Sequence, residues 1–266
     1  MLPTINLFGF SLSTYGIMVS IGLIFMFITA FILGRKHKIL FEDILFGELS
    51  ALLGAFLGAH ILYGITNADK IYNSFAEFFS KQQKLTTLLN SLYYYLGGMV
   101  FYGGLIGGLL FGILYCKIRK INIENFSDCF AAGIPLFHCF GRLGCFFSGC
   151  CYGIESKFGF TATNAIVESC NHINRFPVQL LESAVNLLIF TAILLLFHKG
   201  ILKGSLIYIY LISYSVSRFF IEFLRADTYR GIYFGLSTSQ WISLALIAVS
   251  AIILFKKNNK LKQCYN

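Results

Sequence analysis

Charge is scarce in this chain. Asp, Glu, Lys and Arg make up 12% of its 266 residues, whereas 57% are hydrophobic and 17% aromatic, and the mean hydropathy is +0.73. A soluble domain of this length cannot hide so much apolar surface in one core, so the composition excludes a soluble protein. The first twelve residues carry no Lys or Arg. The first apolar segment therefore lacks the basic start of a signal peptide and is expected to persist as a helix. Solenoid-type repeats and low-complexity linkers are also missing, so residues 1–266 are expected to form a single integral membrane domain.

Crossing roughly 30 Å of hydrocarbon takes about 20 helical residues. Apolar windows of that length occur near residues 13–33, 44–65, 92–116, 126–147, 178–197, 205–224 and 236–255. The expected fold is an all-α polytopic bundle of about seven transmembrane helices with loop segments on its outer face, because only helices and closed barrels satisfy their backbone groups in lipid.

Positive charge orients such a bundle. One side holds Arg35, Lys36, Lys38, Lys117, Arg119, Lys120, Lys199, Lys203, Lys256, Lys257, Lys260 and Lys262, twelve of the 21 basic residues. The other side holds Lys70, Lys81, Lys84, Lys157, Arg175, Arg225 and Arg230, while Arg142 and Arg218 fall within spans. An outer amino terminus and a cytoplasmic carboxyl terminus are expected. This bias and contact with anionic lipids account for the net charge of +9, so nucleic acid is not an expected partner.

Two long outer connections interrupt the bundle. Residues 66–91 include IYNSFAEFF, whose apolar spacing fits either an amphipathic segment at the membrane surface or an ordinary polar connection. Residues 148–177 read as an irregular cap over the outer ends of the spans. The third span contains GGMVFYGGLIGG, whose glycines allow close approach of another helix or of a ligand.

Polar groups inside spans are few. Arg218, Glu222 and Arg225 recur at i, i+4 and i+7 on one helical face, and two guanidinium groups around one carboxylate leave net positive charge. Arg142 has His138 one turn earlier, a residue that suits either proton transfer or a helix-to-helix hydrogen bond. Three arginines near the outer half of the bilayer suit a phosphate, because guanidinium stays charged and donates parallel hydrogen bonds. Tyr15, Tyr102, Gln179 and Glu182 are placed to add donors and acceptors, or serve as interfacial anchors and interhelical bonds.

The chain resembles the prolipoprotein diacylglyceryl transferase family. The resemblance runs through LPTINLFGFSLSTYGIMVSIG, VFYGGLIGG, GRLGCFFSGCCYG, RFPVQLLES, RFFIEFLRAD and LSTSQWISL, in that order. It implies a multi-pass protein of the bacterial cytoplasmic membrane that moves a diacylglyceryl group from phosphatidylglycerol to the lipobox cysteine thiol of prolipoprotein signal peptides, without a cofactor or metal. It further implies that Arg142 and Arg218 hold the head group and the leaving phosphate, that Arg225 and Glu222 orient them, and that Tyr15, Gly103, Gly104 and Gly153 shape the site.

The family's third-span motif normally carries histidine where this chain has Tyr102, and that histidine is the favoured group for deprotonating the thiol. Cys145, Ser148 and Cys150 stand where the family has two asparagines and a glutamate. Tyr102 or His138 is therefore the expected participant in proton transfer. Alternatives remain: another thiol acceptor, a phospholipid-binding or transporting bundle, or a redox or metal protein using Cys145, Cys150 and Cys151, whose spacing matches metal motifs only weakly.

Overall fold

The computed structural model describes residues 1–7, 9–80, 84–98, 100–226 and 231–265. In chain order these form β1 (Thr4–Leu7), β2 (Phe10–Ser13), α1 (Thr14–Gly34), α2 (Phe41–Thr66), α3 (Ala68–Ser80), α4 (Leu85–Leu96), α5 (Phe101–Arg119), α6 (Ile123–Ser148), β3 (Glu155–Thr161), β4 (Asn174–Arg175), α7 (Val178–His198), α8 (Leu206–Ile221), β5 (Ile232–Tyr233), β6 (Leu236–Ser237) and α9 (Thr238–Tyr265). Helix dominates, and the strands make three separate two-stranded antiparallel pairs.

Among the described residues six helical segments are long and apolar enough to cross a membrane: Thr14–His37, Phe41–Thr66, Ile123–Ser148, Val178–His198, Leu206–Leu224 and Thr238–Lys257. The protein is an all-α polytopic membrane protein. The span expected over 92–116 is not one continuous helix. α4 stops at Leu96, where the Gly97 N–H donates to the Tyr93 carbonyl at 2.8 Å, and α5 starts at Phe101. The glycine pair allows the break, and Gly98 lies so close to the Tyr63 ring that a Cβ there would sit 2.4 Å from its Cζ.

The chain divides into two units, Met1–His37 with Glu124–Asn266, and Lys38–Ile123. In the second, α2 and α5 pack backbone to backbone. A Cβ on Gly58 would meet the Gly103 carbonyl oxygen at 2.2 Å, and one on Gly54 would meet that of Gly107 at 2.4 Å. Small residues four apart on both helices permit this approach, as is common between membrane helices. Asp43 of α2 accepts from Arg119 Nε at 2.9 Å and from the Tyr115 hydroxyl at 3.1 Å. α3 and α4 follow α2 in the connection to α5, and both present exposed aromatics, Tyr72 and Phe79 on α3 and Tyr93 and Tyr94 on α4.

In the first unit, α6 is the central element. Gly22 of α1 faces Phe137 and Phe140 of α6, Gly133 of α6 faces Met26, and the Phe25 and Phe140 rings stack with centroids 5.2 Å apart. The Ser183 hydroxyl of α7 donates to the Cys139 carbonyl at 3.1 Å. The Gln240 side chain of α9 donates to the Phe219 carbonyl of α8 at 3.4 Å. Near the start of α6, buried Asp128 accepts from the backbone N–H groups of Gly204 and Leu206, the latter at 2.9 Å, which anchors the beginning of α8.

The other ends of these helices carry a cap. The Leu2 N–H donates to the Phe147 carbonyl at 2.9 Å, tying the β1–β2 hairpin to the end of α6. Residues after α6 pair with the chain leaving α8: Ile154 N–H reaches the Leu224 carbonyl at 3.0 Å and Ala226 N–H reaches that of Tyr152 at 3.1 Å, flanking a bridge between Gly153 and Arg225.

Candidate active site

Three helix ends converge under this cap. Arg142 lies six residues before the end of α6, Glu182 four residues after the start of α7, and Arg218 three residues before the end of α8. At 1.5 Å per residue each stands within about 10 Å of its helix end. Glu182 is the hub. Its Oε2 meets Arg142 Nε, and its Oε1 receives Arg218 Nη1 at 2.8 Å and Arg225 Nη1 at 3.2 Å. Arg218 also reaches Glu222 Oε2 at 2.7 Å and the Ser239 hydroxyl at 3.4 Å through Nη2.

Burial makes this pairing obligatory, because an isolated ion away from water costs several kcal/mol. The Glu182 and Arg225 side chains are each 4% exposed. Among the described residues three guanidinium groups share two carboxylates here, an excess of positive charge. Arg142 keeps the most open side chain of the three, at 21% exposure, and among the described residues its only carboxylate contact is made through Nε. Its two Nη groups therefore form a fork open to an anion.

The expected single helical face of Arg218, Glu222 and Arg225 around Glu222 does not persist, because α8 ends at Ile221, Glu222 lies in a 3-10 turn and Arg225 is extended. The structure gives the place of shared carboxylate to Glu182, which the sequence reading treated as a supporting acceptor. A carboxylate inside an apolar span is itself a signal, since such groups are rare there without a partner.

The family model described as prolipoprotein diacylglyceryl transferase matches residues 3–256. The chain belongs to the prolipoprotein diacylglyceryl transferase family. It is 31% identical to the phosphatidylglycerol–prolipoprotein diacylglyceryl transferase of Clostridium tetani, over 93% of this chain and 94% of that one. It is 32% identical to the protein of that name from Streptococcus pneumoniae, over 92% and 90% of the two chains. A second clostridial relative, transferase 2 of Clostridium perfringens, is 30% identical over 97% and 94%.

The remaining expected site residues of this family member divide between the two units. Tyr15 packs its ring against Gly144 of α6, where a Cβ would lie 3.1 Å from Tyr15 Cδ2. Gly153 lets the cap close onto α8, because a Cβ there would stand 2.4 Å from the Phe176 carbonyl oxygen and 3.0 Å from that of Leu224. His138 shares a hydrogen bond of 2.9 Å with the Tyr210 hydroxyl and packs beside the Tyr214 ring, so it joins α6 to α8. Gln179 donates to the Cys150 carbonyl at 2.7 Å. Gly103 and Gly104 belong to the second unit and pack on α2, Gly103 against Gly58 and Gly104 against Ala55 and Ala59. The side chain of Tyr102 lies outside the described residues.

The end of α6 brings Cys145, Cys150 and Cys151 together, with every pair of Sγ atoms within 4.8 Å. The Cys150 thiol donates to the Cys145 carbonyl at 3.7 Å.

Proposed function

We propose that this protein transfers a diacylglyceryl group from phosphatidylglycerol to the lipobox cysteine thiol of a prolipoprotein, the first step of bacterial lipoprotein maturation. Family membership supports the reaction, and the net positive charge around Glu182, with the open fork of Arg142, supports the lipid donor. A phosphodiester is an anion whose oxygens suit such an arginine fork.

In the reaction the thiol sulfur attacks the glycerol carbon that bears the phosphate. A carbon–sulfur bond forms as the carbon–oxygen bond breaks, and the electron pair leaves on the phosphate oxygen of glycerol phosphate. The thiol proton is released. One negative charge on the phosphodiester becomes two on the departing monoester, so fixed positive charge stabilises the transition state more than the bound lipid. Arg142 grips the phosphate through its two Nη groups. Arg218 and Arg225 supply the surrounding field, and Glu182 with Glu222 holds them in place. Tyr15 and Gly153 shape the walls, Gly153 by letting the chain pass close to Arg225. Gly103 and Gly104 serve the pairing of α5 with α2 within their own unit.

The site lies at the outer ends of the helices if the amino terminus is outside and the carboxyl terminus in the cytoplasm, as the distribution of Lys and Arg supports. Lipobox cysteines of secreted preproteins arrive on that face of the cytoplasmic membrane. Purified protein incubated with phosphatidylglycerol and a lipobox peptide should yield free glycerol phosphate and a peptide heavier by one diacylglyceryl group. Lipid binding without glycerol phosphate release would identify a non-catalytic bundle instead.

A further inference from the structure

The three cysteines after Arg142 have no part in phosphate binding, yet the backbone collects them at one point. α6 ends in a left-handed glycine, Gly149 at φ +72°, with Gly149 N–H donating to the Phe146 carbonyl at 3.2 Å and Cys150 N–H to the Cys145 carbonyl at 3.1 Å. These two bonds make a Schellman motif, which turns the residue after the glycine back onto the one five positions earlier. Cys145 and Cys150 meet for that reason, although their spacing does not suit a single helical face. Cys151, also left-handed at φ +56°, brings in the third sulfur. Gln179 holds the turn from α7 through the Cys150 carbonyl.

On the basis of the transferase reading above, we infer that Cys145, Cys150 and Cys151 form a zinc site with three protein ligands, and that its open fourth position takes up the acceptor thiol. Their Sγ atoms lie within 4.8 Å of one another, whereas tetrahedral Zn–S bonds of about 2.3 Å put sulfurs about 3.8 Å apart, so closure needs a movement of about 1 Å or less. Soft thiolate donors select zinc over magnesium or calcium. A disulfide would use two of the sulfurs and leave the third idle; a metal engages all three. Three protein ligands with a vacant fourth position is the pattern of catalytic rather than structural zinc.

This site supplies what the chain lacks where its family carries a histidine. A thiol that coordinates zinc gives up its proton outright, so no nearby base is needed. The acceptor sulfur binds the metal and its proton passes to solvent. The bound thiolate then attacks the glycerol carbon, the carbon–oxygen bond breaks, and its electron pair leaves with the phosphate. The thioether product is neutral and a weaker ligand, and it departs; nothing is oxidised or reduced. Arg142 stands three residues before Cys145 on the same helix, so donor phosphate and acceptor sulfur would be held next to each other.

Cobalt(II) provides the test, because its thiolate complexes absorb where the free ion does not. The full chain, purified in detergent, reduced and stripped with chelator, should bind about one cobalt per chain with thiolate charge-transfer absorption, and zinc should displace it. Cys150→Ser and Cys151→Ser should each weaken binding by more than ~100-fold, since even groups that only support ligands contribute about 10–100-fold. Cys264→Ser should leave it unchanged. Size exclusion and circular dichroism show whether each variant is folded, and the two single variants keep the test independent of the triple one. A lipobox peptide should alter the cobalt spectrum, and its cysteine-to-serine counterpart should not. Absent thiolate absorption, or equal binding by the folded single variants, overturns the site. Transfer by protein that binds no cobalt would refute the site and keep the transferase; cobalt binding without transfer would refute the transferase reading and keep the metal site.

Discussion

Arg142 meets Glu182 edge-on, through Nε, while Arg218 and Arg225 crowd the other oxygen of the same carboxylate. One glutamate from α7 thus restrains arginines from α6, from α8 and from the chain just after it. It also leaves the forked end of Arg142 open. The cluster's strength and its vacancy come from the same contact.

Removing Glu182 should therefore damage the fold before the chemistry. Glu182→Ala takes away the carboxylate that Arg142, Arg218 and Arg225 share in a buried place, and losing one partner of such a pair costs about 3–5 kcal/mol. The expected result is a large fall in Tm in detergent, with Glu182→Gln intermediate because it keeps one acceptor oxygen while its amide NH2 faces an arginine donor. Thermal scans of the purified variants measure this.

Arg142→Lys should behave in the opposite way. A lysine keeps the charge and loses the planar fork that grips a phosphate. Tm should stay close to that of the parent, while kcat falls by about 10²–10³, the usual loss when one oriented donor to a developing oxyanion is removed. Steady-state kinetics over a range of phosphatidylglycerol concentrations separates this fall from a change in KM.

Gly153→Ala places a Cβ 2.4 Å from the Phe176 carbonyl oxygen, a distance no real contact tolerates. The cap must move away from Arg225, with which Gly153 forms its bridge. Transfer should drop about tenfold or more, because small displacements of positioning groups are costly. Membrane insertion should be unchanged, as read by extraction and yield.

His138 is hydrogen-bonded to Tyr210 across α6 and α8. If that bond is its main work, His138→Ala should lower stability by about 1 kcal/mol, as expected for one interior hydrogen bond, and leave the pH profile of transfer in place. A lost alkaline or acidic limb in that profile would assign His138 to proton transfer instead.

Much of the fold can be read in the residues. Hydropathy finds α1, α2, α6, α7 and α8 to within a few residues, and the start of α9 but not its polar continuation to Tyr265, since a run of apolar residues has one solution in lipid. The break between α4 and α5 escapes it, because Gly97, Gly98 and Val100 do not lower the hydropathy of a window that a backbone turn interrupts. Arg142, Arg218 and Arg225 stand out as costly charges, but their common partner does not: Glu182 is 36 to 43 positions from Arg218 and Arg225, and helical periodicity says nothing about which faces of two distant helices meet. The cysteine cluster shows only weakly in the spacing, for another reason. Cys145 and Cys150 fall on different faces of a continued helix and meet only because Gly149 ends it.

The intact mass of a lipobox peptide after incubation with purified protein and phosphatidylglycerol of defined acyl chains shows whether the transfer takes place. The account predicts a single diacylglyceryl addition on the cysteine sulfur, glycerol phosphate released in equal amount, and a loss of at least ~100-fold in rate with Arg142→Lys. An unmodified peptide, or transfer that proceeds equally well with Arg142→Lys, would contradict it.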